Sequence, residues 1–275
     1  MNCKTLLVHV DDSAHSAARL AYAMEVAAHH DAHLIGLYAV SEEPVDPLFV
    51  HGENVWSRRR EAQRSANETT AHTHFVAETE RAGVNAEWRA PGGVPTQAAI
   101  THARHADLLV LGEDDPKDRS AFVARHFLED VIIGSGRPAI VVPYAGAVHP
   151  RMDNVMIAWD GGRESARAAM DALPLISRAA FVTVMTMERH PHHGEPAGID
   201  VAAWLKRHGI EAGFATLSGV SGADAGTTLL NALADRHVDL LVMGAYGHAR
   251  AHERVLGGVT RTMLQSMTTP VLMSH

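Results

Sequence analysis

The chain contains one pattern written twice, and this repetition constrains its fold more than any other feature. Leu6 to Ala21 (LLVHVDDSAHSAARLA) aligns with Val155 to Met170 (VMIAWDGGRESARAAM), which puts Asp11 on Asp160 and Ser16 on Ser165 at an offset of 149. In both stretches a short apolar run passes through a turn containing Asp, Gly or Ser into an alanine-rich segment, the signature of a buried strand followed by a helix. A second pair, Ala106 to Asp115 (ADLLVLGEDD) and Val238 to Gly247 (VDLLVMGAYG), matches at an offset of 132, and the closing runs from Pro138 and Pro270 keep that offset. The second copy is therefore 17 residues shorter between its first and fourth strands. Asn54 to Arg81, long, polar and helix-compatible, accounts for the difference, because Ile199 to His208 is the only helical candidate in the corresponding place.

Each copy reads as five strands alternating with four helices. Four strands of each can be named: LLVHV, HLIGLYAV, DLLVLG and AIVVP in the first, and VMIAW, FVTVM, DLLVMG and VLM in the second. Near-continuous apolar runs between helices indicate parallel sheets covered on both faces. The expected fold is α/β and doubly wound, with one domain over residues 1–145 and a second over 152–275. Tyr144 to Met152, with Gly146 and Pro150, supplies the linker.

Composition excludes several classes. Of 275 residues, 46% are hydrophobic and 20% charged, which rules out disorder and collagen. A formal charge of −8, from 24 basic and 32 acidic residues, argues against a chain-wide grip on nucleic acid or anionic lipid. Cys3 is the single cysteine, so no intrachain disulfide forms and multi-cysteine zinc sites are excluded. The run from Thr5 to Val10 is interrupted by His9 and too short for a secretory core, and no stretch approaches the ~20 apolar residues of a membrane span. The chain reads as cytoplasmic.

In open parallel sheets ligands bind beyond the carboxyl ends of the strands, at the switch in strand order. The second copy's fourth strand runs into MGAYGHARAHERVLGGVTRTML, where Gly244, Gly247 and Gly257 follow the spacing G-x2-G-x9-G, and Gly258, Val259 and Thr260 open the last helix. Glycines let backbone approach a ligand. A helix amino terminus offers unpaired N–H groups and a favourable dipole to phosphate. The alternative reading of these glycines is close packing of a loop against the sheet.

With that spacing in view, the chain resembles the universal stress protein (UspA) family in its tandem two-domain form, over almost its full length. The resemblance implies a Rossmann-like sheet in each copy, similar to adenine nucleotide alpha hydrolases, with five parallel strands in the order 3-2-1-4-5. It implies binding of ATP or another adenine nucleotide, with Mg, in the second copy: Asp160 toward the nucleoside, Gly244 and Gly247 toward ribose and phosphates, and Gly257, Gly258, Val259 and Thr260 toward the phosphates. ATP-binding members of the family usually carry Ser or Thr where this chain has Gly258, which removes a donor worth about 0.5–1.5 kcal/mol. The implied role is a stress-response module gated by ligand, with an unknown protein partner, no nucleic acid and no membrane. A nucleotide-independent interaction protein and a weak ATPase are the alternatives. Family dimers through last strands imply pairing between the two copies within one chain, or a homodimer.

The first copy keeps less of the motif. Asp115 stands where Gly247 does, Arg125 for Gly257 and His126 for Gly258, while Glu113, Asp114 and Asp115 put acid beside the would-be phosphate site. Domain 1 is thus expected to lack a nucleotide site, and Asp11 to be a turn or cap residue. No catalytic constellation stands out: there is no G-x4-G-K-[ST], G-x-S-x-G or H-E-x-x-H motif.

Twenty histidines are unusual in number. His29, His30 and His33 suit a helix carboxyl end, His102 and His105 an exposed helix face. His190, His192 and His193 form the best metal candidate, and His248 and His252 would share a face if their loop were helical; no metal site is assigned. Met243, Met263, Leu264, Met267 and Met273 read as core fillers.

Overall fold

The computed structural model describes residues 3–40, 53–118, 126–146, 148, 150–188, 199–218, 225–247 and 258–275, and the side chains of helix residues only from 61 on in the second helix. The first copy contributes β1 (Thr5–Val10), α1 (Ser16–His30), β2 (His33–Tyr38), α2 (Glu53–Ala82), β3 (Ala86–Arg89), α3 (Pro95–Ala103), β4 (Leu108–Gly112), α4 (Phe127–Ser135) and β5 (Ala139–Val142). The second contributes β6 (Asn154–Ala158), α5 (Arg163–Ile176), β7 (Phe181–Glu188), α6 (Ile199–Arg207), β8 (Ala212–Ser218), α7 (Ala225–Asp235), β9 (Leu240–Gly244), α8 (Gly258–Ser266) and β10 (Val271–Ser274). The length difference between the copies falls mainly on the second helix, 30 residues in α2 against 9 in α6.

Strand order is 3-2-1-4-5 in both copies: β3-β2-β1-β4-β5 and β8-β7-β6-β9-β10. The registered pairs β1–β2, β1–β4, β2–β3, β6–β7, β6–β9, β7–β8 and β9–β10 are parallel. The chain divides into two compact units, one of residues 4–110 and 115–135, the other of 136–275 with Cys3 and Leu111–Asp114. β5 thus falls in the second unit, where it pairs antiparallel with β10, Ile140 opposite Leu272. The last strand of the first copy therefore completes the edge of the second copy's sheet.

Successive residues of the central strands are buried, which requires cover on both faces. Leu6, Leu7 and Val8 of β1, Val155, Met156 and Ile157 of β6, and Leu240, Leu241 and Val242 of β9 are each at most 1% exposed. Helix α1 buries Leu20, Ala23, Met24 and Ala27, and α5 buries Ala168, Ala169, Ala172, Leu175 and Ile176, the i, i+3, i+4 stripe of a helix lying on a sheet. Met243, Met263, Met267 and Met273 are core residues, as expected.

The two copies also share a polar detail. Asp107, before β4, accepts hydrogen bonds from the Lys4 and Thr5 N–H groups at 2.9 and 3.0 Å, and Asp239, before β9, accepts one from Asn154 N–H at 2.8 Å. Each aspartate fixes the register of the fourth strand against the first. In the first copy α2 docks through Phe75, whose ring lies where a Cβ on Gly36 would be, 2.5 Å from Cε2, and which packs on Trp88 at 5.3 Å.

Candidate functional site

In each copy the strand order reverses between the first and fourth strands, so the loops after β1 and β4, and after β6 and β9, face the crevice where such sheets bind ligands.

In the second copy, Asp160 follows β6 and is exposed; its Oδ1 accepts the Gly162 N–H at 2.8 Å, a local turn that leads into α5. Ser165 Oγ donates to the Gly162 carbonyl oxygen at 2.9 Å. The loop after β9 presses on this helix start. A Cβ on Gly244 would lie 2.6 Å from the Glu164 carbonyl carbon and the Ser165 nitrogen, and one on Gly247 would lie 2.6 Å from Glu164 Oε2. Gly244 is thus required by packing against the backbone of α5, whereas Gly247 meets only the carboxylate end of the Glu164 side chain. The turn between them holds Tyr246 at φ 63°. Ala245 N–H donates to the Ser274 carbonyl oxygen at 2.8 Å, and Ala245 O lies 3.0 Å from His275 Nδ1, which tethers the turn to the end of β10.

Glu164 was not singled out by sequence. It is buried at 9% exposure, with its carboxylate against Gly247 and paired with Arg163, which holds it below the usual carboxylate range. Among the other expected residues, Gly258 opens α8 with open space around it, Val259 is half-buried and Thr260 is buried. Thr262 Oγ1 donates back to the Gly258 carbonyl oxygen at 2.9 Å. Gly257, His248 and His252 lie outside the described residues, as do His190, His192 and His193.

In the first copy the same places are filled differently. Asp11, equivalent to Asp160, is 6% exposed. Arg19 Nη2 meets its Oδ1 at 2.8 Å, and Ser13 donates to the same oxygen through N–H at 3.0 Å and Oγ at 2.6 Å. His9 Nδ1 stands 3.6 Å from Oδ2, and Arg19 Nε donates to the His9 carbonyl oxygen at 2.7 Å. Burial alone would raise the Asp11 carboxyl, but Arg19, then His9 and Ser13, hold it far below the ordinary range. Burial pushes His9 below its ordinary value against the opposing pull of Asp11. The turn role expected for Asp11 is present, and a buried ion pair is added to it. The reason for the contrast is visible at the offset of 149: His9 and Arg19, which surround Asp11, become Ala158 and Ala168.

The acidic loop of the first copy folds onto the start of α1. Asp115 Oδ2 lies 3.2 Å from His15 Nε2, and Asp118 Oδ2 accepts the Ala14 N–H at 2.8 Å. Glu113 turns inward, accepting the Tyr144 N–H at 3.2 Å, so the three acids do not act together. A cavity of about 420 Å³ opens between the β1–α1 turn, α1 and α2, lined in part by Asp12, Ser13, Ala17, Leu20, Asn67 and His74. Asp12 there accepts from Tyr38 Oη at 3.1 Å and Asn67 Nδ2 at 3.0 Å.

Among the described residues no group of three or more His, Cys, Asp or Glu is arranged to hold a metal ion, and no helix is long and apolar enough to cross a membrane. His29 and His30 occupy the last turn of α1, as expected, whereas His33 lies beyond it as the first residue of β2. His102 is in the last turn of α3, its Nδ1 3.1 Å from Arg89 Nη1, and is pushed down first by burial and then by that cation.

Two copies of a 3-2-1-4-5 sheet with paired loops at the switch point define a tandem, doubly wound α/β protein of Rossmann-like type. The universal stress protein family profile matches residues 2–141 and 152–275, so the chain belongs to that family, with two family domains in tandem. Among solved structures it is similar to a universal stress protein from Archaeoglobus fulgidus, at 16% identity and a TM-score of 0.76 over 99% of this chain and 96% of that one. It is also similar to a putative universal stress protein from Pseudomonas aeruginosa, at 15% identity and a TM-score of 0.61 over 99% and 93%. These likenesses bear on the fold. A search of curated proteins gives no match.

Proposed function

We propose that the second copy binds an adenine nucleoside or nucleotide beyond the carboxyl ends of β6 and β9, and that occupancy changes the surface presented by the β9–α8 connection. The protein then works as a ligand-gated interaction module in a stress response of the cytoplasm, not as a catalyst. The observation that carries the reading is Asp160, an exposed carboxylate at the switch point whose equivalent in the first copy is buried in an ion pair. In this reading Asp160 accepts from the nucleoside, Gly244 and Gly247 lie along ribose and phosphates, and Gly257, Gly258, Val259 and Thr260 supply the α8 amino terminus to the phosphates. Mg is the natural counterion for a triphosphate there.

Calorimetric titration of the full chain with adenosine and with ATP, with and without magnesium, tests it, alongside mass analysis of nucleotide retained on purification. Binding that is lost in Asp160→Ala supports the reading; no heat and no thermal shift at millimolar ligand removes it. Phosphate release from ATP that vanishes in Asp160→Ala would turn the module into a weak ATPase.

A second reading, an interaction protein that works without nucleotide, is favoured by the packing of Gly244 on the backbone of α5, which explains that glycine with no ligand. An unchanged stress phenotype in a strain carrying a bulky residue at Gly247 would select it. The β5–β10 pair supports a pseudo-dimer of the two family domains within one chain.

A further inference from the structure

The positions that face each other across the crevice are the same in both copies. Residue 15 faces residue 115 in the first, and residue 164 faces residue 247 in the second, at the offsets of 149 and 132. In the first copy the loop supplies the carboxylate, Asp115, to His15 on the helix side. In the second the helix supplies it, Glu164, to Gly247 on the loop side. The space between helix start and loop therefore holds one of the protein's own carboxylates in each copy, delivered from opposite walls.

We infer that Glu164 determines which ligands the second copy admits, selecting an uncharged adenine nucleoside over a nucleoside triphosphate. This rests on the proposed nucleotide site and specifies its ligand class. The phosphates in that reading run along Gly247, where the Glu164 carboxylate stands, and a multiply charged anion at hydrogen-bonding range of a carboxylate is repelled strongly in a partly buried setting. A nucleoside places only its uncharged ribose there. Glu164 is ionised at neutral pH, since Arg163 beside it keeps the carboxyl low. Arg163 is the exposed partner of the two and pairs with Oε1, while Oε2 is the oxygen nearest the Gly247 side. The lack of a hydroxyl at Gly258 acts in the same direction, because it leaves one donor fewer for phosphate. A magnesium ion bridging carboxylate and phosphate would offset the repulsion, so the discrimination is greatest without the metal.

The test is calorimetric titration of the full chain with adenosine, AMP and ATP, in EDTA and then in magnesium, for the natural sequence, Glu164→Gln and Glu164→Ala. In EDTA the natural chain should bind adenosine at least about tenfold more tightly than ATP, and Glu164→Gln should raise ATP affinity by about tenfold or more while leaving adenosine within about twofold, the size expected for removing one close like charge. Raising the salt concentration should narrow the adenosine-to-ATP ratio in the unsubstituted protein, a readout that needs no variant. Equal affinities in the natural chain, or an ATP-to-adenosine ratio unmoved by both substitutions in folded protein, overturns the role of Glu164 while leaving the nucleotide site standing. Absence of binding by all three ligands to every variant overturns the nucleotide site and this inference together.

Discussion

The two copies share a fold, a strand order and even the aspartate that sets the fourth strand, yet they treat the same first-strand carboxylate in opposite ways. Asp11 is held in the core by Arg19 and Ser13, whereas Asp160, in a copy with Ala158 and Ala168 at the positions of His9 and Arg19, faces solvent. Two substitutions thus separate a buried ion pair from an exposed carboxylate. A repeat can keep a residue and still change its exposure, once that residue gains a partner inside.

The sharpest way to break the comparison is Arg19→Ala. It leaves Asp11 buried without its cation and should cost about 3–5 kcal/mol, read as lost hydrogen-exchange protection in β1 and α1. Protection in β6 and α5 should be unchanged, and an equal loss there would mean that the copies do not open independently. Next comes Gly244→Ala, which forces a methyl into backbone of α5 and should cost about 1–3 kcal/mol by denaturant unfolding. Gly258 makes a control, because a side chain there meets open space and should be tolerated.

Acidification should separate the copies by a smaller margin. Burial lowers His9 in the folded state, so its contribution to stability is fully present above its ordinary value of 6.5 and is lost as pH falls below it, by up to about 1.4 kcal/mol per pH unit. Asp11, with its carboxyl held low, keeps its own contribution until the pH drops below the ordinary carboxylate range. Between pH 7 and pH 5 the first copy should therefore lose protection faster than the second, and replacing His9 by Phe should flatten its slope. The smallest effect expected is Gly258→Ser, which restores a hydroxyl at the start of α8 and should raise affinity for a phosphate-bearing ligand by about 0.5–1.5 kcal/mol in the same titrations.

The sequence made the repeat, the helices and the central strands legible because these are buried on both faces and leave unbroken apolar runs. The strands it did not name, β3 and β8, lie at the far ends of the strand order, and AEWR and AGFATLS are only half-buried where their side chains are described, so they carry no such run. The ion pair of the first copy left a trace that went unread: His9 interrupts an apolar strand, and Arg19 sits on the face of α1 that also carries Leu20 and Ala23. A lone polar residue at a core position asks for a second one nearby. Glu164 was missed for another reason. Attention to the glycine spacing looked along the loop, while the group that fills the space beside Gly247 comes from a helix more than eighty residues earlier.

The antiparallel pairing of β5 with β10 bears on how this protein could be taken apart. A fragment beginning at residue 152 contains a whole family domain by sequence, yet it would present Val271, Leu272 and Met273 on an uncovered sheet margin. Such a fragment would be sticky, inclined to recruit a second copy of itself or to precipitate. Cutting before Gly136 instead would carry the protecting strand along, so the productive place to divide the gene lies inside the first repeat, not at the seam between the two.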